Sequence, residues 1–126
     1  LPVEIVVGSI IRESDGLAMS SRNVYLQPDE RRVATVLQRA LVAGRDAIEN
    51  GETNGDAVRN IMRATIGTET LAQLDYTDVV HPDTFVALDT IQPPALLALV
   101  ARVGKPRLLD NYLWRTDGSW DVGRTI

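Results

Sequence analysis

The run Leu96-Leu97-Ala98-Leu99-Val100-Ala101-Arg102-Val103 limits more than any other segment what this chain can fold into. Apart from Arg102 it is apolar at odd and even positions alike, so a strand made from it is covered on both faces, as a central strand is. Gly104-Lys105-Pro106 then turns the chain into Arg107 to Trp114, which predicts an antiparallel hairpin. A lone hairpin does not support itself, so a further strand and a packed layer are required. Leu74 to Val80 supplies strand propensity in Tyr76, Thr77, Val79 and Val80, and His81-Pro82 ends it because proline cannot donate to a ladder.

The packed layer is helical. Pro28 fits the first turn of a helix and Asp29 and Glu30 favour its positive end. Val33, Val36, Leu37, Ala40, Leu41 and Ile48 then recur at helical spacing up to the stop at Asn50-Gly51. Arg31, Arg32, Arg39 and Arg45 occupy its other faces as a solvated stripe, without an assigned role. Thr53-Asn54-Gly55-Asp56 carries cap-forming residues, and Val58, Ile61, Met62 and Thr65 describe a second helix ending near Gly67, with Met62 as core filler. Asp83 to Pro94 reads as a loop or short helical turn. The expected architecture is α+β, with two helices packed on a small antiparallel sheet of about three strands over residues 28–115. Residues 1–27 are a linker strand, Val3 to Ile11, and the loop that follows it. Residues 116–126 are expected as a mobile tail, on which Trp120 has the means to dock on the body.

Size and charge fit that single core. A chain of 126 residues with 44% hydrophobic content buries one core but not two. A net charge of −4 argues against a nucleic-acid partner, whose binding rests on phosphate neutralisation. The absence of cysteine excludes disulfides and thiolate metal sites and fits a cytoplasmic setting. No apolar run approaches the roughly 20 residues that a membrane span needs.

Chemistry concentrates in Arg12-Glu13-Ser14-Asp15-Gly16-Leu17-Ala18-Met19-Ser20-Ser21-Arg22-Asn23. Asp15-Gly16 permits a turn with positive φ, while Ser20, Ser21 and Arg22 offer hydroxyl, guanidinium and backbone donors to anionic oxygens. Taken as an isolated Ser-Ser-Arg, the same residues read better as a solvated loop capping the next helix.

The whole segment resembles the nucleotide-binding stretch of the pantoate-beta-alanine ligases. The resemblance covers Leu1-Pro2-Val3-Glu4, Arg12 to Leu26, the helix after Pro28, Val100 to Gly104 and Arg107 to Asn111, and is poor in the middle and after Asn111. It implies a carboxy-terminal domain that closes as a lid over pantoate, beta-alanine and ATP held by an amino-terminal Rossmann-like nucleotidyltransferase domain. The parent reaction is condensation through a pantoyl adenylate, with release of AMP and pyrophosphate.

Ala18 to Arg22 stands where class I aminoacyl-tRNA synthetases carry Lys-Met-Ser-Lys-Ser, with Ala18 and Ser21 in place of the lysines. The resemblance assigns Ile11 to a backbone contact with adenine and Met19, Ser20, Ser21 and Arg22 to the phosphates. Ser20, Ser21 and Arg22 form the catalytic grip, Mg²⁺ accompanies ATP, and no residue of this chain serves as a metal ligand. It also leaves room for a homodimer of the full enzyme. The His-x-Gly-His signature of the other half is absent, so the chain is expected to be an excised carboxy-terminal domain, inactive alone.

Other constellations carry less. Alternation sends Asp75 and Asp78 to opposite faces, which argues against an acid-base dyad. His81 has no second ligand at metal spacing. Asp110-Asn111 either closes the hairpin or faces the nucleotide domain, and the structural role is favoured; Tyr25 is expected to pack the loop against the first helix. The rival functions are a stand-alone phosphate-binding module and a noncatalytic interaction domain. The latter would be favoured by a Ser20 to Arg22 segment locked away from solvent.

Overall fold

A computed structural model describes residues 10–20, 23 and 26–125 of the chain. After β1 (Ile11–Arg12) come α1 (Pro28–Ala34), α2 (Val36–Glu49) and α3 (Gly55–Ile66). The strands β2 (Ala72–Val80), β3 (Ala95–Val103), β4 (Arg107–Trp114), β5 (Trp120–Asp121) and β6 (Arg124–Thr125) follow. An antiparallel sheet in the order β2-β3-β4-β5 carries the helices, and β1 and β6 form a separate parallel pair. The α+β expectation holds, with four strands in the sheet rather than three. The additional strand comes from the segment expected to be a mobile tail.

The helical signals act largely as read. Gln27 N–H is capped by Glu30 Oε1 at 2.9 Å, and Pro28 occupies the first turn, where its missing N–H is not needed. The single helix expected to Asn50 is interrupted at Thr35, whose hydroxyl donates to the Arg32 carbonyl at 2.7 Å, a bond that competes with regular helix geometry. Asn54 Oδ1 caps α3 by accepting from Ala57 N–H at 3.1 Å. Leu37 and Leu41 from α2 and Val58, Met62 and Ile66 from α3 are buried together against the sheet. Gly44 keeps that packing close, since a Cβ there would lie 2.9 Å from Leu97 Cδ2 and 3.1 Å from Met62 Cγ.

The two-faced apolar run is β3. Its Ala95, Leu97, Leu99, Ala101 and Val103 enter the core under the helices, while Leu96 and Ala98 form a second buried cluster with Val80. Alternation therefore fills both sides, and β3 is central, between β2 and β4.

The tail departs from expectation for a physical reason. Trp120 stacks on Trp114 with centroids 5.6 Å apart and donates from Nε1 to Glu49 Oε1 at 2.5 Å. Two large aromatic faces and a charged acceptor offset the entropy that would otherwise leave a terminus loose. Asp75 is the extra residue of a bulge between Leu74 and Tyr76, which interrupts the alternation assumed between it and Asp78. They form no dyad, since Asp75 pairs with Arg107 at 2.9 Å and Asp78 with Arg59 at 2.5 Å. His81 Nδ1 accepts from Asp83 N–H at 3.1 Å, a local role.

Candidate functional site

The polar loop begins as β1 and immediately doubles back. Arg12 bridges Ala18 in antiparallel fashion, Met19 N–H donates to the Ile11 carbonyl at 2.8 Å, and Glu13 N–H donates to the Leu17 carbonyl at 2.9 Å. Gly16 makes the turn with φ 89°, a conformation that side-chain-bearing residues resist, and Asp15 Oδ1 accepts from Leu17 N–H at 3.2 Å. Leu17 then drops into the core beside α2 and fixes the depth of the loop.

Arg12 holds this hairpin to the sheet. Its guanidinium donates to both carboxylate oxygens of Asp110 at 2.7 Å and to the Gly16 carbonyl at 3.0 Å, while Nε donates to the Val122 carbonyl at 2.6 Å. It also lies over the Tyr112 ring at 5.4 Å, a ring that Arg45 approaches at 5.6 Å. Both members of the ion pair are about as buried as the core, Arg12 at 2% and Asp110 at 3% exposure.

Desolvation works against the Arg12 charge, but Asp110 outweighs it and the guanidinium is held more firmly protonated than usual. Burial pushes the Asp110 carboxyl above its ordinary range, against the opposing pull of Arg12 and of the Asn111 N–H. Fork geometry satisfies both carboxylate oxygens at once, which a buried pair requires.

A second brace ties the loop to the helices. Arg31 donates to Glu13 Oε1 at 2.8 Å, and Glu13 Oε2 accepts from Asn23 Nδ2 at 2.9 Å, which also reaches the Ala18 carbonyl at 3.1 Å. Asn23 Oδ1 is buried without a hydrogen-bond partner among the described residues. Arg31 and Arg45 thus leave the solvated stripe to which the sequence assigned them.

Of the site residues anticipated from sequence, Ile11, Met19 and Ser20 lie together on the outer side of this braced loop, with Ile11 44% and Met19 51% exposed. Ser20 is exposed too, so this part of the segment is open to solvent and not locked into the interior. Ser21 and Arg22 lie outside the described residues, as do Tyr25 and the linker over residues 1–9. A cavity of about 200 Å³ opens beside the loop, lined by Leu17 to Ser20 on one side and by Arg107 to Asn111 of β4 on the other. It brings serine and asparagine groups and an arginine to one concave surface. Among the described residues no group of three or more His, Asp or Glu side chains is arranged to hold a metal. None of the helices described is long and apolar enough to cross a membrane.

Sequence reasoning named Asp110 without its partner and gave Arg12 no role. The signal was present, since both fall in segments that carry the family resemblance, but nothing along the chain says that they meet.

Comparison with known proteins bears on the same residues. The sequence pattern of pantoate-beta-alanine ligase matches residues 1–113. A pantothenate synthetase of Roseiflexus sp. (strain RS-1) is 57% identical over 111 residues, covering 88% of this chain and 40% of that protein. One from Thermoanaerobacter sp. (strain X514) is 44% identical over 113 residues, covering 90% and 40%. The crystal structure of pantothenate synthetase from Thermus thermophilus superposes with a TM-score of 0.76 at 36% identity, over 81% of this chain and 37% of that one. The chain thus spans about 40% of the length of the curated relatives it matches.

Proposed function

The chain belongs to the pantoate-beta-alanine ligase family, and from that premise we propose that it is the ATP-binding lid of a pantothenate-forming ligase. In this reading it closes over an amino-terminal nucleotidyltransferase half that holds pantoate, and the pair acts in the cytoplasm. The observation that carries the proposal is the braced loop: Arg12 and Asp110 fix a hairpin whose Met19 and Ser20 face a concave surface shared with Asn111.

The size of that surface supports a two-part site. At about 200 Å³ the cavity is smaller than the roughly 300–1,000 Å³ of a complete small-molecule pocket, as one wall of a site completed by a facing domain would be. Closure of the two walls would also exclude water from a reactive acyl phosphate.

In the reaction the pantoate carboxylate attacks the α-phosphorus of ATP and the bond to pyrophosphate breaks. The amine of beta-alanine then attacks the acyl carbon and AMP departs. Both reactants of the first step are anionic, so fixed donors where charge accumulates on the leaving pyrophosphate lower the barrier. Ser20, with Ser21 and Arg22 beside it in sequence, is assigned that task, and the backbone near Ile11 and Met19 is assigned to the nucleotide. Mg²⁺ would accompany ATP and supply further charge neutralisation, while the hydroxyl and backbone donors of the loop would hold the phosphate oxygens.

The test is pantoate-dependent exchange of pyrophosphate into ATP, measured with the chain joined to its amino-terminal half and with the chain alone. Exchange by the joined protein and none by the chain alone is the expected result. Exchange by the chain alone would favour a complete catalytic module, and none by either would withdraw the assignment. At Ser20 the burial that would favour the noncatalytic alternative is not present.

A further inference from the structure

The carboxy-terminal segment returns to the strand from which the loop springs and grips it. Arg124 N–H donates to the Ile10 carbonyl at 2.6 Å, the Val122 carbonyl accepts from Arg12 Nε at 2.6 Å, and β6 runs parallel to β1 with Ile11 opposite Arg124. Gly123 permits so close an approach. Its φ is +84°, and a Cβ built there would collide with the Ile10 carbonyl oxygen and lie 3.1 Å from Arg12 Nε. Asp121 Oδ1 accepts from Gly123 N–H at 3.0 Å and sets the turn, while the Trp114–Trp120 stack anchors the segment upstream. Trp120 to Thr125 lies beyond residue 113, where the family pattern ends.

A strand of two residues has little means of holding its own position, because each residue fixed costs about 1–2 kcal/mol of backbone entropy. β1 is held from two sides. The returning segment binds Ile10 and Arg12, while the Ile11 carbonyl receives Met19 N–H and thereby carries the outer limb of the loop. Released from β6, the Arg12 side chain would still be fastened to Asp110, but the main chain at Ile10 would lose its partner and Met19 and Ser20 would hang from a looser support.

We infer that residues 120–125 form a strap that positions the nucleotide loop, with Gly123 as a positioning residue for ATP. The inference rests on the ATP-binding reading given above. The strap touches no reacting atom; it acts through β1, so its effect falls on the nucleotide and not on beta-alanine. A preorganised loop spends less of its interaction energy on ordering when the nucleotide arrives.

The experiment uses the two-half enzyme with Gly123→Val, which blocks the approach sterically, and Arg124→Pro, which removes the N–H given to Ile10 and sets a ring carbon in its place. Steady-state kinetics for ATP and for beta-alanine are combined with amide hydrogen exchange over residues 10–19. Both variants should exchange faster over residues 10–19, with KM for ATP raised about tenfold and KM for beta-alanine within about twofold of the parent. Faster exchange over residues 10–19 with an unchanged KM for ATP would overturn the strap. So would unchanged exchange there, or global unfolding of both variants, which would make the segment a stability element only. A parent enzyme that neither binds nor turns over ATP would instead remove the functional reading on which the inference stands.

Discussion

Arg12 and Asp110 meet through two parallel 2.7 Å hydrogen bonds although 98 positions separate them in sequence. Their contact joins β1 to β4 beneath the loop. The pair is buried, so each member compensates a charge that could not otherwise stay there.

Removing one partner is therefore worse than removing both. Asp110→Ala should destabilise the domain by about 3–5 kcal/mol, because an uncompensated guanidinium is left in the interior. Arg12→Met combined with Asp110→Leu should recover more than half of that loss, as read from urea midpoints at constant m-value. The double variant should still bind ATP poorly in the two-half enzyme, since the Gly16 and Val122 carbonyls lose their donor. Equal stability of the single and double variants would show that the charge is solvated after all.

Arg59 does comparable work on the other side of β3. It donates to Asp78 at 2.5 Å, to Asp56 at 2.8 Å and to the carbonyls of Leu88 at 2.7 Å and Val79 at 3.2 Å, and so clasps α3 to β2 and the loop after it. Arg59→Ala should cost about 1.5–3 kcal/mol in chemical denaturation, the range for hydrogen bonds to charged groups. Arg59→Lys should restore less than half, because a single ammonium cannot reach this spread of acceptors as a planar fork does. Full rescue by lysine would reduce the clasp to simple charge pairing.

Close packing between α2 and α3 predicts a further asymmetry at Gly44. Its Cβ position faces Leu97 and Met62 side-chain atoms at 2.9–3.2 Å. Gly44→Val should lower stability by about 1–3 kcal/mol through overpacking, despite the gain of leaving glycine in a helix interior. A thermal midpoint at or above that of the parent would mean that the core yields to the extra methyl groups.

The periodic elements were legible because their signals are local. Pro28 with Asp29 and Glu30, the Asn54 cap and the two-faced apolar run of Leu96 to Val103 each act over a few residues, and each appears in the structure where its chemistry puts it. What escaped depends on contacts at long range. Trp120 had a visible means of docking, but its partners Trp114 and Glu49 are set by the tertiary fold. Arg31 and Arg45 followed a helical polar stripe that treats every outward arginine alike, whereas the fold gives one of them Glu13 and the other Tyr112. Within the site, the polar loop stood out by composition. The buried Arg12–Asp110 brace beneath it did not, since an arginine beside a glutamate reads as surface.

The phosphate-binding assignment makes the remaining prediction. Ser20 is solvent-facing and Arg22, outside the described residues, follows it in the same polar run, so neither is expected to contribute much to folding. A fixed positive charge beside departing pyrophosphate, by contrast, strengthens as negative charge develops in the transition state. Arg22→Ala in the two-half enzyme should therefore reduce the rate of adenylate formation by about 100-fold or more in single-turnover assays. The melting temperature should stay within about 2 °C, as suits a change of under about 0.5 kcal/mol at the surface. Arg22→Lys should recover part of the rate by restoring charge without the bidentate fork, and Ser20→Ala should cost less than Arg22→Ala because a neutral donor is the weaker one. If Arg22→Ala lowered the melting temperature sharply while turnover per folded molecule stayed normal, the arginine would belong to the fold, and the phosphate grip would have to be sought on other residues.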